Sequence, residues 1–310
     1  MLDSFVFSKA EYAESVLGAN DKNIPYIEML LSSELTLKGL VVSCRDNKYF
    51  TLLFAALENI AKERGEINES EIFMVYQKII EGKDVLSFSE EKISFTVSSK
   101  TIWPKSESQR KYMESLKKDK VIISYGPAGT GKTFLAVCYA LEEVLRGRKN
   151  RIILARPVVE AGETLGFLPG DLTQKLSPYL RPLYDAMEYV LPPLQIKRLE
   201  ENGVLELSPL AYMRGRSFAN AVVILDEAQN ATSAQMKMFL TRLAENSKAI
   251  ITGDPEQSDL KRGEKSGLID AVRRLKGIEG LSIVKFSAND TVRSSIVRDI
   301  IKAYEDEDED

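Results

Sequence analysis

One stretch constrains this chain more than any other: Gly126-Pro127-Ala128-Gly129-Thr130-Gly131-Lys132-Thr133. It fits the pattern G-x-x-x-x-G-K-[S/T] without a gap. Before it runs the apolar, β-branched segment Val121-Ile122-Ile123-Ser124-Tyr125; after it runs the apolar segment Phe134 to Leu141. Strand, glycine loop, helix is the context in which this pattern holds phosphate. The glycines let successive backbone N–H groups turn inward onto phosphate oxygens, and the helix N-terminus adds partial positive charge. Lys132 supplies a full charge near the β and γ phosphates, and the Thr133 hydroxyl is a magnesium ligand candidate. A glycine turn that matches by coincidence is the competing explanation, and the flanking strand and helix argue against it.

A second acidic element completes the pattern. Ala221-Val222-Val223-Ile224-Leu225 is an apolar strand that delivers Asp226-Glu227 at its C-terminal end, the Walker B arrangement. Asp226 is placed to hold magnesium, and Glu227 to orient and polarise the water that attacks the γ phosphate. Alone, this is also what an acidic helix cap after a strand looks like; downstream of a phosphate loop in an α/β chain it points to nucleotide hydrolysis. Lys248-Ala249-Ile250-Ile251-Thr252-Gly253-Asp254-Pro255-Glu256-Gln257 repeats the logic. Thr252, Asp254 and Gln257 are expected to sense the γ phosphate, against the plainer reading of a Gly-Asp-Pro turn. Gln109, just upstream of the loop strand, is an adenine-reading candidate, because its amide offers donor and acceptor together. The guanine-reading pattern N-K-x-D is absent, which favours ATP.

The rest of the chain frames this core. Length 310 suggests two domains. Residues 1–97 read as a small α+β domain: strand character around Gly39 (Glu34 to Cys44), a helix from Tyr49 to Arg64, and a second helix carrying Ile72, Val75, Tyr76 and Ile79. A β–α–α unit of this size is compatible with a KH-type RNA-binding module. It carries no G-x-x-G loop to clamp a nucleic-acid backbone, so a docking or assembly domain is an equal alternative. Glu90 to Thr101 reads as a linker. Residues 98–304 form the α/β core with a parallel sheet. Within it, Arg151 to Ala155 is a buried strand ending in Arg156-Pro157, and Gly162 to Asp171 is a glycine-punctuated loop. Leu172 to Val190 is a helix interrupted at Pro178 and Pro182, and Val204 to Leu207 is a short strand. Leu281 to Phe286 is a last strand and Ser295 to Tyr304 a last helix.

Charge and cysteine usage narrow the class. Net charge is −4, and the acidic end 305–310 carries −6, leaving +2 elsewhere by subtraction. That tail reads as a disordered, solubilising end. The chain has no His, and Cys44 and Cys138 are far apart, so neither a disulfide framework nor a His-ligated metal site is expected. No apolar run is long enough to span a membrane, no secretory signal is expected at Met1-Leu2-Asp3-Ser4-Phe5, and a reducing cytoplasm fits best.

These residues resemble the bacterial PhoH-like proteins, relatives of a phosphate-starvation-inducible ATPase. The resemblance rests on Pro104-Lys105-Ser106 with Gln109, Gly126 to Thr133, Ala155-Arg156-Pro157, and Leu165-Gly166-Phe167-Leu168-Pro169-Gly170. It extends to Tyr212-Met213-Arg214-Gly215-Arg216, Asp226-Glu227-Ala228-Gln229-Asn230 and Thr252-Gly253-Asp254. Leu17 to Asn23 is similar to the family's opening segment. The chain departs from the family at Asp290-Thr291-Val292-Arg293-Ser294, where many members carry a His after the Arg. The resemblance implies a RecA-like P-loop NTPase fold, ATP hydrolysis with Mg2+, a cytoplasmic location and a role in RNA metabolism.

The core is also similar to a superfamily 1 helicase motor, yet such motors close the site between two RecA-like domains and this chain has one. A homo-oligomeric ring, a hexamer, is therefore expected, with an Arg from one subunit reaching the neighbour's γ phosphate; Arg214, Arg216 and Arg293 are candidates, and Arg156 is expected to act in cis. Two functional readings stand. One is an ATPase that remodels or translocates RNA, with Lys132, Asp226, Glu227, Gln257 and Arg293 in the reaction. The other is a nucleotide-switched RNA-binding adaptor that recruits a ribonuclease or ribosomal factor. A kinase using the same loop has no substrate-phosphate motif to support it.

Overall fold

The computed structural model describes residues 2–45, 47–80, 82, 92–95, 98, 100–157, 172–261 and 264–291. The chain divides into two compact units: 1–91 with 105–107, and 92–104 with 108–310.

The first unit contains β1 (Leu2–Val6), α1 (Ala10–Leu17), α2 (Ile24–Leu31), β2 (Leu35–Lys38), β3 (Val41–Arg45), α3 (Phe50–Arg64) and α4 (Glu69–Ile80). Its three strands form an antiparallel sheet in the order β1-β3-β2. Strand periodicity separates the two faces. Val42 and Cys44 enter a core with Phe7, Val16, Leu17, Ile27, Phe50, Leu53, Phe54 and Leu57. Ser4 and Ser43 lie exposed and hydrogen-bond across the sheet at 3.0 Å. The turn after α1 is held by buried Asn23, whose amide donates to the carbonyls of Val16 (2.9 Å) and Ile67 (3.0 Å). That pairing offsets the cost of burying an amide and stitches α1 to the α3–α4 connection.

The second unit is built on a six-stranded sheet. Its strands are β6 (Val121–Tyr125), β7 (Arg151–Arg156), β8 (Leu205–Pro209), β9 (Ala221–Leu225), β10 (Lys248–Gly253) and β11 (Leu281–Lys285). All pairs are parallel, in the order β11-β6-β10-β9-β7-β8. Both faces are covered, so the strands read as continuous apolar runs. Ile122, Ile152, Leu154, Val222, Ile224 and Ile250 pack on one side, with α5 (Glu107–Lys118), α6 (Lys132–Leu145), α7 (Leu172–Val190) and α8 (Pro193–Glu201) contributing to that core. Ile123, Ile153, Val223, Leu225 and Ile251 pack on the other, with α9 (Ser233–Leu240) and α10 (Gly267–Arg274).

Two local expectations change. The segment read as a linker holds an antiparallel hairpin, β4 (Ile93–Phe95) with β5 (Lys100–Ile102). Ile93, Phe95 and Ile102 are buried in the core of the second unit, a contact no local pattern announces. The helix α7 runs unbroken through Pro178 and Pro182. Each proline costs a helix roughly 3 kcal/mol. Burial of Leu180, Leu183, Met187 and Val190 offsets that at about 1.5–3 kcal/mol per side chain. The glycine-punctuated loop, including the motif Leu165–Gly170, the last helix, Arg293 and the acidic tail lie outside the described residues.

Candidate nucleotide site

The loop Gly126–Thr133 joins β6 to α6 at the C-terminal edge of the sheet, where ligands of open parallel sheets bind. Gly126, Gly129 and Gly131 all have positive φ (137°, 76° and 84°), which is why glycine recurs there. No side chain caps the start of α6 at Gly131, which leaves its first N–H groups without a side-chain acceptor. The Lys132 ammonium lies inside the loop, donating to the carbonyls of Gly126 (2.8 Å) and Pro127 (2.6 Å) and to Thr130 Oγ1 (3.1 Å). Burial lowers its pKa, against the opposing pull of Asp254, Glu227 and Asp226. Phosphate oxygens are the natural acceptors for a cation placed this way.

Strand order then assembles the rest. Because β10 lies between β6 and β9, the ends of the three strands stand side by side, with Thr252 paired to Ser124 and Ile251 to Leu225. Asp226 Oδ1 accepts two hydroxyls, from Thr133 at 2.7 Å and Thr252 at 2.6 Å. Asp226 Oδ2 lies 3.4 Å from Arg156 Nε. Burial pushes the Asp226 carboxyl above its ordinary pKa, while Arg156 and the two hydroxyls pull it down. Glu227 takes a left-handed backbone (φ 53°, ψ 40°), a strained choice for a non-glycine residue. Its Oε1 accepts Arg156 Nη2 at 2.7 Å and its Oε2 accepts Gln229 Nε2 at 2.5 Å.

Of the remaining predicted residues, Asp254 and Gln257 join this centre. Asp254 and Gln257 line the same cleft of about 470 Å³ as Lys132, Thr133, Asp226 and Glu227. The Gln257 amide donates to Asp254 Oδ2 at 2.9 Å. Gln109 is buried behind the loop, and its Nε2 donates to the Thr130 carbonyl at 3.0 Å. One of its two amide N–H donors is thus directed at the loop. Arg156 lies between the two acids of its own chain. Arg216 is paired with Glu206, Nη2 to Oε2 at 2.8 Å. Arg214 is exposed.

One wall of the cleft had no sequence signal. Pro182, Asp185, Ala186 and Tyr189 of α7 line it, with Tyr189 edge-on to Phe134 at 5.3 Å. Phe134 directly follows the loop in the chain, and α7 meets it only through packing.

Residues 101–305 match the family described as PhoH-like protein. The chain belongs to the PhoH-like family. A PhoH-like protein of Bacillus subtilis is 46% identical over 93% of this chain and 84% of its own length. One of Synechocystis is 41% identical over 95% of this chain and 92% of its own length. Protein PhoH of Escherichia coli is 46% identical over 66% of this chain and 58% of its own length. The six-stranded parallel sheet is the RecA-like P-loop NTPase core that this PhoH-like membership implies, and nucleotide binding follows from the family. No described helix is long and apolar enough to cross a membrane.

Proposed function

We propose that this PhoH-like protein is a magnesium-dependent ATPase of the cytoplasm whose turnover remodels RNA, and that it works as a homo-oligomeric ring. One observation carries the reading: Asp226 Oδ1 gathers the hydroxyls of Thr133 and Thr252, joining phosphate loop, acidic strand and sensing strand at one atom.

The donors suit magnesium. They are hard oxygens, and magnesium is held by one or two carboxylates completed by phosphate and water. Thr133 and Asp226 are the residues that hold it, and the bound ion supplies charge neutralisation at the phosphates. Lys132 exchanges its loop carbonyls for β and γ phosphate oxygens. Glu227 orients the attacking water and accepts its proton. Thr252, Asp254 and Gln257 respond to the γ phosphate, and Gln109 supports the loop from behind and reads the base with its second N–H and its oxygen.

A single RecA-like unit offers one wall to the nucleotide, so a neighbouring subunit supplies the other. With Arg156 engaged in cis and Arg216 held by Glu206, Arg214 is the described candidate for the arginine in trans, and Arg293 remains the second. The first unit serves as RNA reader or ring builder.

Steady-state ATPase rate against protein concentration, with and without single-stranded RNA and with Lys132→Ala as blank, tests the reading. A specific rate that rises with protein concentration and again with RNA supports it. ATP bound without turnover at every concentration, indifferent to RNA, overturns it in favour of a nucleotide-switched adaptor that recruits a ribonuclease or ribosomal factor.

A further inference from the structure

We infer that Gln229 ties Glu227 to the turn after β10, so that the turn's response to a phosphate sets the position of the water-polarising carboxylate. The inference rests on the ATPase reading above and assigns a positioning residue within it.

Gln229 is 1% exposed, in the short turn Ala228–Asn230 that follows the two acids. Its amide is used at both ends. Nε2 donates to Glu227 Oε2 at 2.5 Å and to the Gln257 carbonyl at 3.3 Å; Oε1 accepts the Asp254 N–H at 3.0 Å. The orientation is determined by chemistry. A flipped amide would set its oxygen against the Glu227 carboxylate and its N–H groups against the Asp254 N–H. The Gln229 backbone is held as well, its carbonyl accepting Ser258 Oγ (3.2 Å) and Ser266 Oγ (3.1 Å).

The sensing strand approaches this amide as closely as its residues allow. A Cβ built on Gly253 would lie 2.7 Å from Gln229 Oε1 and 3.1 Å from its backbone nitrogen, so glycine is what admits the contact. On its other side Glu227 is held by Arg156. Two donors and a strained backbone therefore aim one carboxylate, and the Gln229 donor is bonded in turn to the residues that line the γ-phosphate side of the cleft. A shift of Asp254 to Gln257 passes to Glu227 through this amide. Gln229 itself does not line the cleft.

The test uses the full chain. Gln229→Glu keeps the length and the acceptor for Asp254 N–H but sets a carboxylate oxygen against Glu227; Gln229→Met keeps the volume and neither bond. Misplacing a reacting group by about 1 Å costs on the order of a hundredfold in rate. The expected result is a kcat lower by about tenfold to a hundredfold in both variants, Gln229→Glu the lower, with KM and fluorescent-nucleotide affinity close to wild type. In single turnover on a Glu227→Gln background, Gln229→Met should add no further loss. Gly253→Ala leaves Gln229 in place and presses a methyl onto its amide and equally onto Leu268 Cδ2, and should reproduce the kcat loss in chains whose melting shows them folded. Wild-type kcat in the variants, an equal loss on the Glu227→Gln background, or a loss matched by weaker nucleotide binding would overturn the inference alone. Wild-type turnover no faster than Lys132→Ala would sink the ATPase reading and this inference with it.

Discussion

Replacing Gly126 by Ala probes the closest backbone contact of the phosphate loop. A Cβ built there would lie 2.3 Å from the Phe286 carbonyl oxygen and 2.9 Å from its carbon. That is roughly 1 Å inside the distance at which carbon and carbonyl oxygen ordinarily meet. Neither side yields freely. Phe286 N donates to the Tyr125 carbonyl at 2.8 Å, and Gly126 N donates to the Gly253 carbonyl at 3.2 Å. The Phe286 ring is buried edge-on to Tyr112 at 5.7 Å. Relief requires loss of a backbone hydrogen bond, about 1 kcal/mol, or an overpacking shift of about 1–3 kcal/mol. The φ of +137° adds about 1–3 kcal/mol for a residue with a side chain. Together these place the loss at about 2–6 kcal/mol, a fall in Tm on the order of 10 °C for a unit of this size. Calorimetry on the full chain reads the melting, and titration with a fluorescent ATP analogue reads the loop. Gly147→Ala separates the two causes: Gly147 also has positive φ (69°) but open space around its Cβ, and should cost only about 1–2 kcal/mol. If Gly126→Ala melts with Gly147→Ala and binds nucleotide like wild type, the close approach of β11 to the loop is not what demands glycine.

Three further outcomes are expected. Thr252→Val keeps shape but removes a donor from a buried carboxylate, so urea denaturation should show a loss of about 1.5–3 kcal/mol. Burial pushes the Lys248 amine down to about 8 from 10.5, and its ammonium donates to the Leu116 carbonyl. The charged form is penalised in the folded chain, so the unfolded chain binds more protons between these values, and stability should rise with pH from about 8 to 10.5; Lys248→Met should flatten that rise in urea midpoints. Arg216 holds the Glu206 carboxyl below its ordinary pKa, so the pair stabilises above the ordinary carboxylate range and the benefit is lost as pH falls through the lowered value. Both side chains are about a third exposed, so Arg216→Ala should cost under about 1 kcal/mol at neutral pH, vanish in high salt and leave a shallower acid limb in thermal melts.

The chemistry-bearing motifs were legible because each is local. A phosphate loop needs glycines at set positions between a strand and a helix, and an acidic pair needs only to end an apolar strand; a short window of residues contains all of that. The fold class was legible for the same reason, since apolar β-branched runs alternating with helical spacing imply a covered parallel sheet. The hairpin Ile93–Ile102 was not, because three-residue strands carry almost no periodicity and what holds them is contact with a core assembled elsewhere. Nor was continuity of α7, where burial outweighs two prolines.

By itself, then, the sequence determined that Lys132, Thr133, Asp226 and Glu227 stand at the ends of strands and at the start of a helix. Only the tertiary structure decided how they meet. Insertion of β10 between β6 and β9 brings Thr252 onto the same carboxylate oxygen as Thr133, and sets Asp254 against the Gln229 amide. The end of β7 brings Arg156 to both acids. Strand order has no local signature: every strand of a doubly covered sheet is an apolar run, and which edges pair depends on crossovers and on burial of both faces at once. Residues far apart in the chain become one site only when that choice is made.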